Sequence, residues 1–188
     1  MNDELAFLNP FQSILASTAA GTAAPKSKYK LQTESPYDLK TEEQMRRWDR
    51  AEDIKDKVAF IETGGSYDTK AIGDKHLANK AYGLFQFRKP ALNEVNKALK
   101  ENGLKYQYTL DDMLDETKAT DAFRIYTYYN AKYFEKVFGR SPTDEELMLA
   151  HNTSYGSVPK GMAKANEKDS YIDKIRNLGT TFKPREKK

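Results

Sequence analysis

The feature that most limits what this chain can build is the recurrence of apolar residues every three or four positions from Met45 to Leu178, the spacing of one face of an α-helix. Met45, Trp48 and Ala51 open the pattern, Ile54, Val58 and Ile61 continue it, and Gly64-Gly65 stops it as a C-cap does. Thr41 and Gln44 ahead of that run have the spacing of a capping box. The polar stretch from Ser66 to Ala81 reads as a loop. A second helix is predicted over Pro90 to Lys100, with Leu92, Val95 and Leu99 on one face and Asn102-Gly103 at its end. Thr109 to Met113 reads as another helix start. A long segment from Thr120 to Phe138 follows it, where Phe123, Tyr126, Asn130, Phe134 and Val137 share a stripe that stops at Gly139. Ser141-Pro142-Thr143 with Glu146 is a helix start with Pro near the first turn. The final helix begins near Asp169 or Ser170, carries Tyr171, Ile175 and Leu178, and ends at Gly179. The expected fold is mostly α.

Residues 1–40 have a different character. Ser13 to Ala24 is mostly Ala, Ser and Thr, and Pro25 to Lys40 mixes Lys, Tyr, Pro and Ser without periodicity. This reads as an extended arm, whose cluster Leu5, Phe7, Leu8, Phe11, Ile14 and Leu15 either docks on a partner or folds back on the main domain. The expected division is an arm over 1–40, a helical domain over 41–182 and a solvated basic tail over 183–188. Twelve Tyr, nine Phe and one Trp in 188 residues supply a core, which a disordered chain lacks. The mean hydropathy of −0.84 and the absence of any apolar run of ~18 residues exclude a membrane span. The start, Met1-Asn2-Asp3-Glu4, is acidic where a secretory signal is basic.

The absence of Cys removes thiol nucleophiles, disulfides and thiolate metal sites together. His76 and His151 lie 75 residues apart with no metal-ligand spacing, so no metal and no cofactor is expected. There is no phosphate loop and no Gly-x-Ser-x-Gly elbow. The net charge of +3 does not call for nucleic acid. Tyr126, Tyr128, Tyr129 and Tyr133 sit at helical spacing, as core and groove wall rather than a base-stacking platform. Glu62 is the most informative position. It closes a predicted helix after Val58-Ala59-Phe60-Ile61, and both the negative end of the helix dipole and apolar neighbours disfavour its charge. A carboxyl with a raised pKa suits a general acid near neutral pH.

Glu62-Thr63-Gly64-Gly65, then Ala71-Ile72-Gly73-Asp74, then Ala81-Tyr82-Gly83-Leu84-Phe85-Gln86 is an ordered series. It resembles the lysozyme-like domain of soluble lytic transglycosylases and goose-type lysozymes over roughly residues 46–180. Glu62 matches the catalytic Glu of the family's Glu-Ser motif, with Thr63 for Ser. Gly83-Leu84-Phe85-Gln86 matches its Gly-Leu-Met-Gln motif, with Phe for Met. Ala150-His151-Asn152-Thr153-Ser154 is a looser match to Ala-Tyr-Asn-Ala-Gly, and Tyr171 stands where the family aims a late Tyr at the acid. The resemblance implies a lysozyme-like fold and cleavage of peptidoglycan glycan strands between N-acetylmuramic acid and N-acetylglucosamine. Gly83, Leu84, Phe85, Gln86, His151, Asn152 and Tyr171 are then expected along the sugar groove. Gly83 would let backbone approach a sugar, and Gln86 and Asn152 would pair with an acetamido group.

Asp74 bears on which chemistry operates. Glycoside hydrolysis ordinarily uses two carboxylates, whereas the family's transglycosylases use one Glu, first as acid and then as base while the muramoyl 6-hydroxyl closes a 1,6-anhydro ring. Goose-type lysozymes add water-positioning Asp residues, one in a motif like Gly73-Asp74. A second, after the Gln motif, is replaced here by Arg88. The expectation is a lyase, with a muramidase as the alternative and a non-catalytic peptidoglycan- or protein-binding module as a third reading. The resemblance to virion-associated transglycosylases further implies a phage particle that opens the host wall during genome delivery, with residues 1–40 docked on other virion proteins. A cytoplasmic endolysin released by a holin is the competing localisation.

Overall fold

The computed structural model describes residues 42–185. The Thr41 cap, the arm over 1–40 and the end of the basic tail lie outside the described residues. The fold is mostly α. It runs α1 (Glu42–Glu62), a two-stranded hairpin of β1 (Ile72–Gly73) and β2 (Ala81–Tyr82), α2 (Lys89–Glu101), a 3-10 turn (Asp111–Leu114), α3 (Glu116–Phe138), α4 (Asp144–Thr153), a 3-10 turn (Tyr155–Ser157), α5 (Val158–Met162), α6 (Tyr171–Arg176) and α7 (Leu178–Thr181).

The long helix α3 is the hub. Thirteen of its residues are buried, on every side of its middle turns, as expected of a helix packed all round. Helices α1, α2 and α4 each pack against it. Asp115 caps its start by accepting from the Lys118 N–H at 3.0 Å, and Gly139 ends it with its N–H donating to the Glu135 carbonyl at 2.9 Å. From α1, Trp48, Ala51, Ile54, Val58 and Ala59 face this core; from α2, Leu92, Val95, Ala98 and Leu99 do. Arg124 is buried within it at 1% exposure and donates to Glu52 at 2.5 Å. Burial works against the Glu52 charge, and the hydrogen bonds from Arg124 and Lys55 outweigh it, leaving that carboxyl below its ordinary range. The predicted capping box of α4 is complete, with Thr143 accepting from the Glu146 N–H and Glu146 accepting from the Thr143 N–H.

Several expectations are corrected. The stretch read as loop holds the antiparallel hairpin, with Ile72 opposite Tyr82 and Gly73 opposite Ala81; strands of two residues are too short to show alternation. Helix α3 begins at Glu116 rather than Thr120 because Asp115 supplies the cap. Val137 does not complete the buried stripe, being 58% exposed where α3 runs past the core. The last helix breaks at Asn177, so Gly179 lies inside α7. Lys183, Pro184 and Arg185 are exposed, and the stretch is tethered at three points: Phe182 meets Phe60 edge-on at 5.6 Å, Tyr67 donates to the Lys183 carbonyl at 2.6 Å, and Arg185 pairs with Glu116. No helix among the described residues is long and apolar enough to cross a membrane.

Candidate functional site

Glu62 is the last residue of α1. Beyond it Thr63 fastens the helix end, its hydroxyl donating to the Ala59 carbonyl at 2.7 Å and accepting from the Tyr67 N–H at 2.9 Å. Helix α6 approaches this point with Tyr171 as its first residue, and the Tyr171 hydroxyl donates to Glu62 Oε1 at 2.7 Å. Ser170 sets that residue in place, accepting from the Asp173 N–H as N-cap. Glu62 and Tyr171 stand in a cleft of about 750 Å³, also lined by the hairpin, the start of α2 and the end of α4, a size suited to an organic ligand.

Burial pushes the Glu62 carboxyl up to about 7, against the Tyr171 hydrogen bond and the charges of Lys174 and Arg88, which favour its ionised form. Tyr171 is held well above the ordinary range of a phenol, first by burial and then by the facing carboxylate, so it remains a donor. The result is a carboxyl near half-protonation at neutral pH with one oxygen oriented by a fixed hydroxyl. That arrangement can give a proton to a leaving oxygen and take one back.

The hairpin is held by Gln86 and Gly83. Gln86 adopts φ +48°, and its Nε2 donates to the carbonyls of Gly83 at 2.8 Å and Ala71 at 3.3 Å. Both amide hydrogens are thus committed to backbone, and Gln86 borders the cleft while serving mainly as a clamp. Its Oε1 fills the space beside Gly73, where an added Cβ would come within 2.2 Å. Gly83 has φ +73°, and a Cβ there would lie 1.7 Å from the Met113 carbonyl oxygen. The close approach that requires glycine is therefore to this backbone, not to a ligand. Leu84 and Phe85 point into the core at 4% and 0% exposure, Phe85 stacking on Phe123 at 4.4 Å. Gly83, Leu84 and Phe85, expected along the groove wall, lie beneath the cleft and support it, because the hairpin must bury its apolar residues against α3.

His151 lines the cleft from α4 within a group of aromatic rings, Phe85, Phe87, Phe123 and Tyr126. Its Nε2–H donates to the Phe85 carbonyl at 2.8 Å, leaving Nδ1 as a buried acceptor with no partner among the described residues. Burial lowers its pKa to about 4, so the ring is neutral at pH 7. Asn152 is exposed at the cleft rim. Asp74, at φ +49°, pairs with Arg88, which also donates to the Asn79 carbonyl. The cleft thus gathers Glu62, Asp74, Gln86, His151, Asn152 and Tyr171 from three separate stretches of sequence.

Arg88, Glu94 and Lys174 also line the cleft and were not among the expected site residues, and Tyr126, read from its spacing as core and groove wall, lines it too. Lys174 carried a signal, lying one helical turn after Tyr171 and so on the same side of α6. Glu94, an acidic residue beside the apolar face of α2, was another. The Arg88–Asp74 pair spans the hairpin, and no local pattern announces it. Among the described residues no group of three or more His, Asp or Glu side chains is placed to hold a metal ion. The chain matches no family model, no curated protein and no solved structure.

Proposed function

We propose that this protein is a peptidoglycan lytic transglycosylase with a lysozyme-like catalytic domain, and that Glu62 is its acid and base. One observation carries the reading: a carboxyl poised at about 7 in a cleft of oligosaccharide size, oriented by the Tyr171 hydroxyl. Protonated Glu62 gives its proton to the glycosidic oxygen as that bond breaks. As carboxylate, it then takes the proton of the muramoyl 6-hydroxyl as that oxygen closes on the anomeric carbon. Tyr171 holds Oε1 through both steps, and its donated hydrogen bond favours the carboxylate that forms between them.

The lyase is favoured over the hydrolase by the state of Asp74. A hydrolase needs a second carboxylate to serve the water or the glycosyl centre, and the Asp74 carboxylate is engaged by the Arg88 guanidinium. Glu94 supports the muramidase alternative, since its Oε2 has no partner among the described residues and it lines the same cleft. Mass spectrometry of digested sacculi decides the matter. Muropeptides ending in 1,6-anhydro-muramoyl units are expected; reducing muramoyl ends would assign a hydrolase, and intact sacculi would leave a binding module.

A further inference from the structure

The two cations whose fields reach Glu62 are Lys174 and Arg88, and both line the cleft. Their situations differ. Arg88 is held by the Asp74 carboxylate and the Asn79 carbonyl, so its charge is compensated within the protein. Lys174 is exposed, one turn along α6 from the tyrosine that touches Glu62, and its ammonium has no ion pair or side-chain hydrogen bond with another described residue. The remaining acidic group of the lining, Glu94, projects from α2 and acts on Tyr126 and Tyr129. The cleft therefore has an uncompensated positive charge beside the acid and a negative charge on the α2 wall. An anionic substituent on a bound strand is drawn to the first and repelled from the second.

We propose that Lys174 forms a carboxylate-binding subsite beside Glu62, which makes the cleft select aminoglycan strands bearing an acidic substituent over neutral strands of the same backbone. This rests on the glycan-cleaving reading of the cleft and adds to it the residue that tells an acidic strand from a neutral one. A muramoyl unit carries a lactyl ether ending in a carboxylate, or a peptide stem with carboxylates of its own; a strand of N-acetylglucosamine alone carries neither. Pairing that carboxylate with Lys174 places the acidic sugar next to the acid and so fixes which way along the cleft the strand lies. An ammonium can hold the carboxylate as a point charge at varied angles, which suits a substituent on a flexible ether.

The test is calorimetric binding to the full-length chain carrying Glu62→Gln, so that no turnover intervenes. The two probes are a GlcNAc–MurNAc disaccharide bearing a dipeptide stem and neutral chitotetraose. Adding Lys174→Met is expected to weaken the muropeptide roughly five- to tenfold, the scale of a partly exposed charge-assisted contact. Chitotetraose should bind as before, Lys174→Arg should restore the muropeptide, and its affinity should fall with added salt only where position 174 is cationic. Equal losses for both probes, no loss for either, a failure of Arg to rescue, or a protein that binds neither probe would each overturn the proposal. Sacculus digestion by chains with native Glu62 separates the two readings. Unaltered release of anhydro-muropeptides by Lys174→Met removes the subsite and leaves the enzyme, whereas selective muropeptide binding without any cleavage leaves the subsite and removes the enzyme.

Discussion

Replacing Glu62 by Gln should make the protein more stable above neutral pH while removing its activity. The folded carboxyl sits at about 7 against an ordinary value of 4.5, a difference equivalent to about 3 kcal/mol. The folded state binds the proton more tightly than the unfolded chain, so the Glu62 contribution to stability is greatest below about pH 4.5. That contribution is lost progressively until the pH passes about 7. Gln keeps the volume and an oxygen to accept from the Tyr171 hydroxyl, but it never bears the buried charge. Urea unfolding of both proteins at several pH values between 4 and 8.5 measures this directly. The two curves should agree within about 0.5 kcal/mol at pH 4 and separate by about 2–3 kcal/mol in favour of Gln at pH 8.5. Sacculus digestion by the variant should drop by ~10²–10⁴-fold. A stability gap that does not change with pH would refute the burial argument, and digestion within a few-fold of wild type would remove Glu62 from the chemistry.

Three further perturbations probe the supports of the cleft. Tyr171→Phe removes the donor at 2.7 Å from Glu62, so the carboxyl should titrate about one unit or more higher. The alkaline limb of the digestion profile should move up with it; an unmoved limb would mean that Tyr171 does not orient the acid. Gly83→Ala places a Cβ against the Met113 carbonyl at φ +73° and should cost about 3 kcal/mol or more, read as a lowered urea midpoint. A variant of wild-type stability would show that this backbone contact is not made. Gln86→Ala leaves the Gly83 and Ala71 carbonyls without their donor and should cost about 1–3 kcal/mol, a few degrees in Tm. Weakened digestion at unchanged Tm would instead assign Gln86 to the ligand.

Helices were legible in the sequence wherever a cap and an apolar period coincided. Thr143 with Glu146 and the stop at Gly139 are local chemistry, and both occur in the structure as read. Glu62 stood out because its place at a helix end and its apolar neighbours are also local facts. What escaped was made by contacts across the chain. The hairpin depends on the Gly83 N–H reaching the Ala71 carbonyl at 2.8 Å and on the Gln86 amide, not on any alternation of side chains. The Gly83-Leu84-Phe85 stretch read as groove wall because a motif gives residue types without their direction, and the core took Leu84 and Phe85. Lys174 and Arg88 reach one carboxyl from α6 and from the residue before α2, a convergence that only the packed chain produces.

The bond that orients the acid joins residues 109 positions apart, and the Tyr67–Lys183 bond behind it joins residues 116 apart. Closing loops of that span is slow and late in folding, because the entropy of bringing distant segments together precedes any reward from their contact. On a ribosome the consequence is stricter still: Glu62 is made 109 residues before Tyr171, so the carboxyl exists well before the hydroxyl that holds it. A nascent chain that has not reached Tyr171 therefore has the Glu62 carboxyl without the hydroxyl that holds its Oε1. The order of synthesis therefore makes the Glu62–Tyr171 bond a late step in the assembly of the cleft.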